Sequence, residues 1–269
     1  MRLERAARLL ALSVLALPIA ARPAALPDPG PAAVLHGPRS QPRVALTFDA
    51  CTTRDPSPYD PRVTAALERM HVPATIFVGG GWAEEEAGAL EEMARNPLFE
   101  FGNHTFSHPH LTRVDEVRIR EEIQRAQEAI AARTGRVPTL FRPPYGEYDD
   151  RVLRSAAALG LTTVEYDLAS GDPDPHASRR ALVDWVLREA RPGSIVVMHV
   201  NHRRFHTAEA LPEIVLGLRA RGFELVKVSD LIRPPTAAPA LLSRESAARL
   251  SPAGRAAHSE RIVHPGPRA

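Results

Sequence analysis

Short apolar runs recur along the middle of the chain, separated by amphipathic stretches in which apolar residues return every three or four positions. The runs cover 44–48, 74–78, 99–102, 139–142, 161–166, 194–199 and 223–228, lengths that suit strands buried on both faces. Between them, Asp60 is placed to cap a helix that begins at Pro61 and continues to Met70. Thr112, with Asp115 three residues on, makes a box-like start to a long helix that stops before Gly135. Two more helices are expected at 149–159, ended by Gly160, and at 208–220, shortly before Gly222. This alternation predicts an α/β fold with a mainly parallel sheet. About seven such strands suit an incomplete barrel better than a flat doubly wound sheet, a choice the pattern alone leaves open.

The two ends of the chain read differently. Arg2, Arg5 and Arg8 precede an apolar run over 9–21, interrupted by Pro18 and followed by small residues. A basic start, a short apolar core and a small-residue exit describe a secretory signal peptide over 1–21. An uncleaved anchor is the alternative, although the run is short for a membrane span. Residues 22–42 form a Pro/Ala-rich linker, 43–232 the folded domain, and 233–269 a Pro/Ala/Arg-rich tail expected to be disordered. The expected location is therefore periplasmic or extracellular, with no stable membrane span once the signal is removed.

Composition narrows the functional classes. The chain has 269 residues, 44% of them hydrophobic, enough for one domain with a substantial core. A net charge of +2, with no basic stripe interleaved with aromatics, gives no reason to expect a nucleic-acid partner. The single cysteine, Cys51, excludes an intramolecular disulfide. It reads as a small, partly buried residue beside the site in preference to a thiol nucleophile.

Candidate chemistry gathers where strands are expected to end. Asp49 follows VALTF, His104 follows FEFGN, Arg142 follows TLF, and His199 closes SIVVMH. In barrel-type α/β folds that edge carries the chemistry, because loops from different strands converge there. His104 and His108 are spaced as imidazole ligands for zinc or a similar ion. Spacing alone is weak evidence, since His202 and His206 are also four apart; the first pair is set apart by directly following a strand. Asp49 suits a metal ligand or a base, with helix capping as the plainer role. Arg142, in FRPPYG, suits a bidentate grip on that carboxylate, and Tyr145–Gly146 could offer a backbone N–H to an oxyanion; the plainer role of that segment is a rigid turn. Asp172, in ASGDP, suits a partner for His199, which could otherwise be a satisfied core histidine.

TFD, HTFSH, RPPYG, the SGDP segment and IVVMH together resemble, in order and separation, the motifs of the polysaccharide deacetylase family (the NodB homology domain, carbohydrate esterase family four). The resemblance covers roughly 43–232. It implies a distorted, incomplete (β/α) barrel that removes acetyl groups from the N-acetylated sugars of a polysaccharide or cell-wall glycan. It also implies one divalent metal, zinc by first choice, with cobalt, nickel or manganese as alternatives. By the same resemblance Asp49 is the catalytic base, His104 and His108 are metal ligands, and Arg142 holds the base. Tyr145 supplies the oxyanion N–H, and His199 is the general acid oriented by Asp172.

Two departures stand out. Pro173 replaces the tryptophan usual after Asp172, and Ala50 stands where the family has a second, metal-binding aspartate. Asp60, ahead of a helix whose start should lie near the site, is the expected substitute ligand, with Asp55 or water as alternatives. The rival readings are hydrolysis of another C–N amide or an O-acetyl ester on the same scaffold, and a degenerate domain that binds glycan without turnover. Nothing in the sequence bears on oligomeric state.

Overall fold

The computed structural model describes residues 31–52 and 58–233. The expected signal peptide, Asp55 and nearly all of the expected C-terminal tail lie outside the described residues. Eight strands all pair in parallel: β1 (Arg43–Ala50), β2 (Ala74–Val78), β3 (Phe99–Asn103), β4 (Leu140–Phe141), β5 (Thr162–Thr163), β6 (Leu168–Ala169), β7 (Ile195–His199) and β8 (Glu224–Leu225). Seven lie in the order β5-β4-β3-β2-β1-β7-β6, and β8 pairs with the first residues of β1. The sheet curls into an incomplete α/β barrel, the choice that the strand–helix alternation leaves open and the family resemblance implies. From Val44 to Ala50 every residue of β1 is buried, as is all of β2, because neighbouring strands and covering helices leave neither face to solvent.

The helices that cover the sheet are α1 (Pro61–Arg69), α2 (Gly80–Glu85), α3 (Ala87–Ala94), α4 (Glu116–Thr134), α5 (Asp150–Ala158), α6 (Arg179–Glu189), α7 (Thr207–Ala220) and α8 (Val228–Ile232). Their ends are written in local chemistry. Asp60 caps α1, with Pro61 in its first turn; Asp149 caps α5, and Ser178 caps α6. The long helix differs from expectation at its start. Asp115, not Thr112, is the cap, its carboxylate accepting from the Arg118 N–H, while Leu111–Arg113 forms a separate 3-10 turn. Gly135 ends that helix in the left-handed conformation at φ 68°.

Residues assigned to the linker take part in the fold. Val34 bridges Val164 beside β5 and packs on the core, and the Gly37 N–H donates to the Gly193 carbonyl.

Candidate active site

Asp49 and His199 are register partners in the adjacent parallel strands β1 and β7, so their side chains leave the sheet on the same side. They are neighbours, flanking one opening. Asp49 is buried, and its Oδ1 accepts from Arg142 Nη1 at 2.8 Å. The same Nη1 donates to Thr47 Oγ1 at 2.9 Å, and Arg142 Nε and Nη2 reach the Val164 and Glu165 carbonyls. Arg142 is wholly buried and lies 4.0 Å over the ring of Phe77. That ring stands where Gly102, its register partner, has no side chain; a Cβ on Gly102 would meet it at 2.5 Å. Burial by itself would raise the Asp49 pKa, but the Arg142 guanidinium and the nearby imidazoles hold it below the ordinary carboxylate value.

His104 is oriented by the chain itself. Its Nδ1 lies 2.7 Å from the Arg142 carbonyl oxygen, which makes Nδ1 the donor and leaves Nε2 facing Asp49 Oδ2 at 3.7 Å. His108 turns its ring edge-on to His104, with centroids 4.9 Å apart. Burial lowers the pKa of both rings, that of His108 to about 3, favouring the neutral imidazole a metal requires. One nitrogen of each ring and the Cys51 sulfur all lie within 4.8 Å of one another. Cys51 is buried beside the site, as expected from sequence, and burial pushes its thiol up to about 12, which disfavours a thiolate nucleophile.

The HTFSH loop holds an unusual backbone. Four described non-glycine residues have positive φ, and three of them, Thr105, His108 and Tyr145, are in the site loops. Such conformations cost energy and persist where the surroundings over-determine them. Here the Thr105 N–H donates to Asn103 Oδ1, and the Gly80 and Gly81 N–H groups donate to the Thr105 and Phe106 carbonyls. A Cβ on Gly80 would collide with Phe106. The buried Glu122 carboxylate accepts from the Phe106 and Ser107 N–H groups, from the Ser107 hydroxyl, and from Arg118.

On the His199 side, Nδ1 lies 3.0 Å from Asp172 Oδ1, and Asp172 Oδ2 accepts from the His199 N–H at 2.7 Å. Ser170 and Thr207 hydroxyls also donate to Asp172. Burial would lower the His199 pKa, but the Asp172 carboxylate outweighs it and raises the value above the ordinary imidazole range. Tyr145 is half-exposed, with its hydroxyl donating to the His108 carbonyl and its ring stacked on His110 at 4.0 Å.

Asp49, His104, His108, Arg142, Asp172 and His199 line one cavity of about 430 Å³, which also includes Cys51, Tyr166 and His202. Asp60 is absent from it. Its carboxylate caps α1 and grips Arg62 through contacts of 2.7–3.2 Å, so among the described residues Asp60 does not join the His104–His108 group. The physical reason is the arginine two residues on, which wraps back onto the cap. Glu122 and Thr207 stand outside every motif, whereas Thr47 opens TFD and Asn103 immediately precedes HTFSH. Thr47, a lone polar side chain in an apolar strand, carried a signal; Glu122 sits in a charge-rich helix and carried none.

A curled parallel sheet with an Arg-held carboxylate, paired imidazoles and an Asp-oriented histidine at its C-terminal edge defines a hydrolase of the α/β half-barrel class. The model of the polysaccharide deacetylase family matches residues 36–164. Along 203 residues the chain is 32% identical to a chitooligosaccharide deacetylase from Bradyrhizobium sp., covering 70% of this chain and 90% of that one. With the peptidoglycan-N-acetylmuramic acid deacetylase PdaA of Bacillus subtilis it shares 29% over 192 residues, 70% of this chain and 71% of that one. The chain spans 38% of a Listeria monocytogenes peptidoglycan-N-acetylglucosamine deacetylase, at 31% identity over 189 residues, 70% of this chain. Among solved structures it superposes, at TM-score 0.69 and 27% identity, on a Bacillus anthracis protein described as a CE4 family pseudoenzyme, covering 76% of this chain and 70% of that one. The chain belongs to the polysaccharide deacetylase family, hydrolases of the C–N bond in acetylated sugars.

Proposed function

We propose that this protein is an exported, metal-dependent hydrolase that removes acetyl groups from the N-acetylated sugars of a polysaccharide or cell-wall glycan. The observation that carries the reading is the pairing of two differently tuned groups on adjacent strands: Asp49 is held as an anion by Arg142, and His199 is biased toward imidazolium by Asp172. One group is set to take a proton and its neighbour to give one.

The donor set fits a divalent ion. His104 and His108 would hold it, since both rings are biased toward the neutral form and His104 is oriented through its far nitrogen. When bound, such an ion supplies Lewis acidity, activating water and polarising a carbonyl. The chain's own residues do the rest. Asp49 Oδ2 accepts the proton of the attacking water while Arg142 keeps Oδ1 in place. The Tyr145 N–H stabilises the developing oxyanion. As the C–N bond breaks, His199 gives its proton from Nε2 to the leaving amine, and Asp172 fixes the ring through Nδ1. The products are acetate and a free amino sugar.

Metal-dependent release of acetate tests this. The protein is incubated with acetylated chitooligosaccharides and with peptidoglycan, with and without chelator, beside the Asp49→Asn variant. Release that stops with chelator and in the variant is the expected result. A second reading, glycan binding without turnover, draws on Ala50 and on the likeness to a pseudoenzyme. Tight binding of the same glycans with no acetate from the metal-loaded protein would favour it and sink the first.

A further inference from the structure

We infer that Cys51 is the third protein ligand of the metal, a thiolate standing in for the carboxylate absent at Ala50. The inference rests on the metal-dependent reading above and deepens it. Ala50 is the last residue of β1, fully buried and paired with Val78 of β2, and its methyl group offers no donor. The next residue does. The Cys51 sulfur and one ring nitrogen from each of His104 and His108 lie within 4.8 Å of one another. Ligand atoms of a tetrahedral ion at ordinary zinc bond lengths lie about 3.3–3.8 Å apart, so side-chain shifts of about 1 Å would close the set. Three further observations point the same way. The His104 ring is already turned by the Arg142 carbonyl so that Nε2 faces inward. The Cys51 backbone is pinned by Asn201 Nδ2, which donates to its carbonyl at 2.5 Å. Asp60, the substitute ligand first expected from the sequence, is committed to Arg62 and the α1 cap.

The chemistry is conservative in charge and different in softness. A thiolate brings the same single negative charge as the aspartate it would replace, and coordination releases the thiol proton to solvent as the sulfur–metal bond forms. Two imidazoles and a thiolate leave a position open for water or substrate, the pattern of catalytic rather than structural zinc. The softer donor selects zinc or cobalt over magnesium and manganese. Asp49 is left outside the ligand set, free to act as base.

Cobalt(II) makes this directly observable, because a thiolate bound to cobalt gives a near-ultraviolet charge-transfer band and Cys51 is the only cysteine in the chain. Titrating the full-length protein with cobalt(II) in thiol-free buffer is expected to give that band, saturating at one equivalent. Cys51→Ser should lose the band and weaken binding by more than the 10–100-fold typical of losing an outer-shell partner. Cys51→Asp should bind cobalt without the band, and circular dichroism would report that both variants are folded. Stoichiometric binding by the wild type with no such band would overturn Cys51 as ligand and leave the hydrolase reading standing. No binding at all by the folded wild type would overturn both.

Discussion

Replacing Arg142 with methionine removes the guanidinium while roughly keeping the bulk that rests on Phe77. What remains is the Asp49 carboxylate, 6% exposed, without its ion-pair partner. Breaking a buried pair from one side costs about 3–5 kcal/mol, against a total stability of about 5–15 kcal/mol for a domain of ordinary kind. With a urea slope of about 2 kcal/mol per M, a loss of about 4 kcal/mol moves the midpoint by about 2 M. The pH dependence follows from the sign of the Asp49 shift. In the wild type its pKa is depressed, so its contribution is fully present above the unfolded carboxylate pKa of about 4 and is lost as pH falls through the folded value. In the variant, burial is opposed only by the nearby imidazoles, so the pKa rises relative to the wild type and Asp49 loses the stability it lends at neutral pH. The difference between the two proteins should therefore be largest near neutrality and shrink toward about pH 4. Urea unfolding monitored by circular dichroism across that range, with chelator present, measures it. A difference below about 1 kcal/mol at neutral pH, the scale of an exposed pair, or one that ignores pH, would refute the reasoning.

Other expectations follow from individual contacts. Asp172→Asn removes the carboxylate that raises the His199 pKa, so the basic limb of the kcat profile should move to lower pH. The rate should fall within the 10²–10⁴-fold range of a positioned acid; an unmoved limb would detach His199 from the acid role. Glu122→Leu strips four donors of their acceptor beneath the HTFSH loop and should lower metal affinity by about 10–100-fold in a chelator competition. Asp60→Ala should cost about 1 kcal/mol in urea unfolding, as loss of a helix cap does, and leave that affinity unchanged. A fall in affinity would return Asp60 to the ligand set.

Much of the scaffold was legible because parallel strands are continuous apolar runs, and the residues at their ends, Asp49, His104, Arg142 and His199, announce themselves by polarity. Asp60 was legible as a cap, and its first-turn proline made α1 plain. What was hidden depended on distances across the sequence. Arg62 turning back onto Asp60 is a side-chain choice with no periodic signature, and Glu122 reaches the loop from a helix whose other acidic residues face solvent. The two-residue strand β6 and the six-residue helix α2 are too short to carry a period. They form because neighbouring elements present hydrogen-bond partners, as the Thr105 carbonyl does for the Gly80 N–H.

The left-handed residues of the site loops bear on how the protein would meet its metal. Thr105 and His108 hold their strained backbone through Asn103, Glu122 and the glycines of α2, all of them protein groups. The contacts that order the loop therefore need no ion as a partner. Uptake should resemble filling a socket rather than folding a finger: fast, in a single kinetic phase, and with little change in heat capacity. Chelation should strip the ion and leave the melting cooperative, so the protein would survive metal scarcity as an idle but intact molecule, ready to reload.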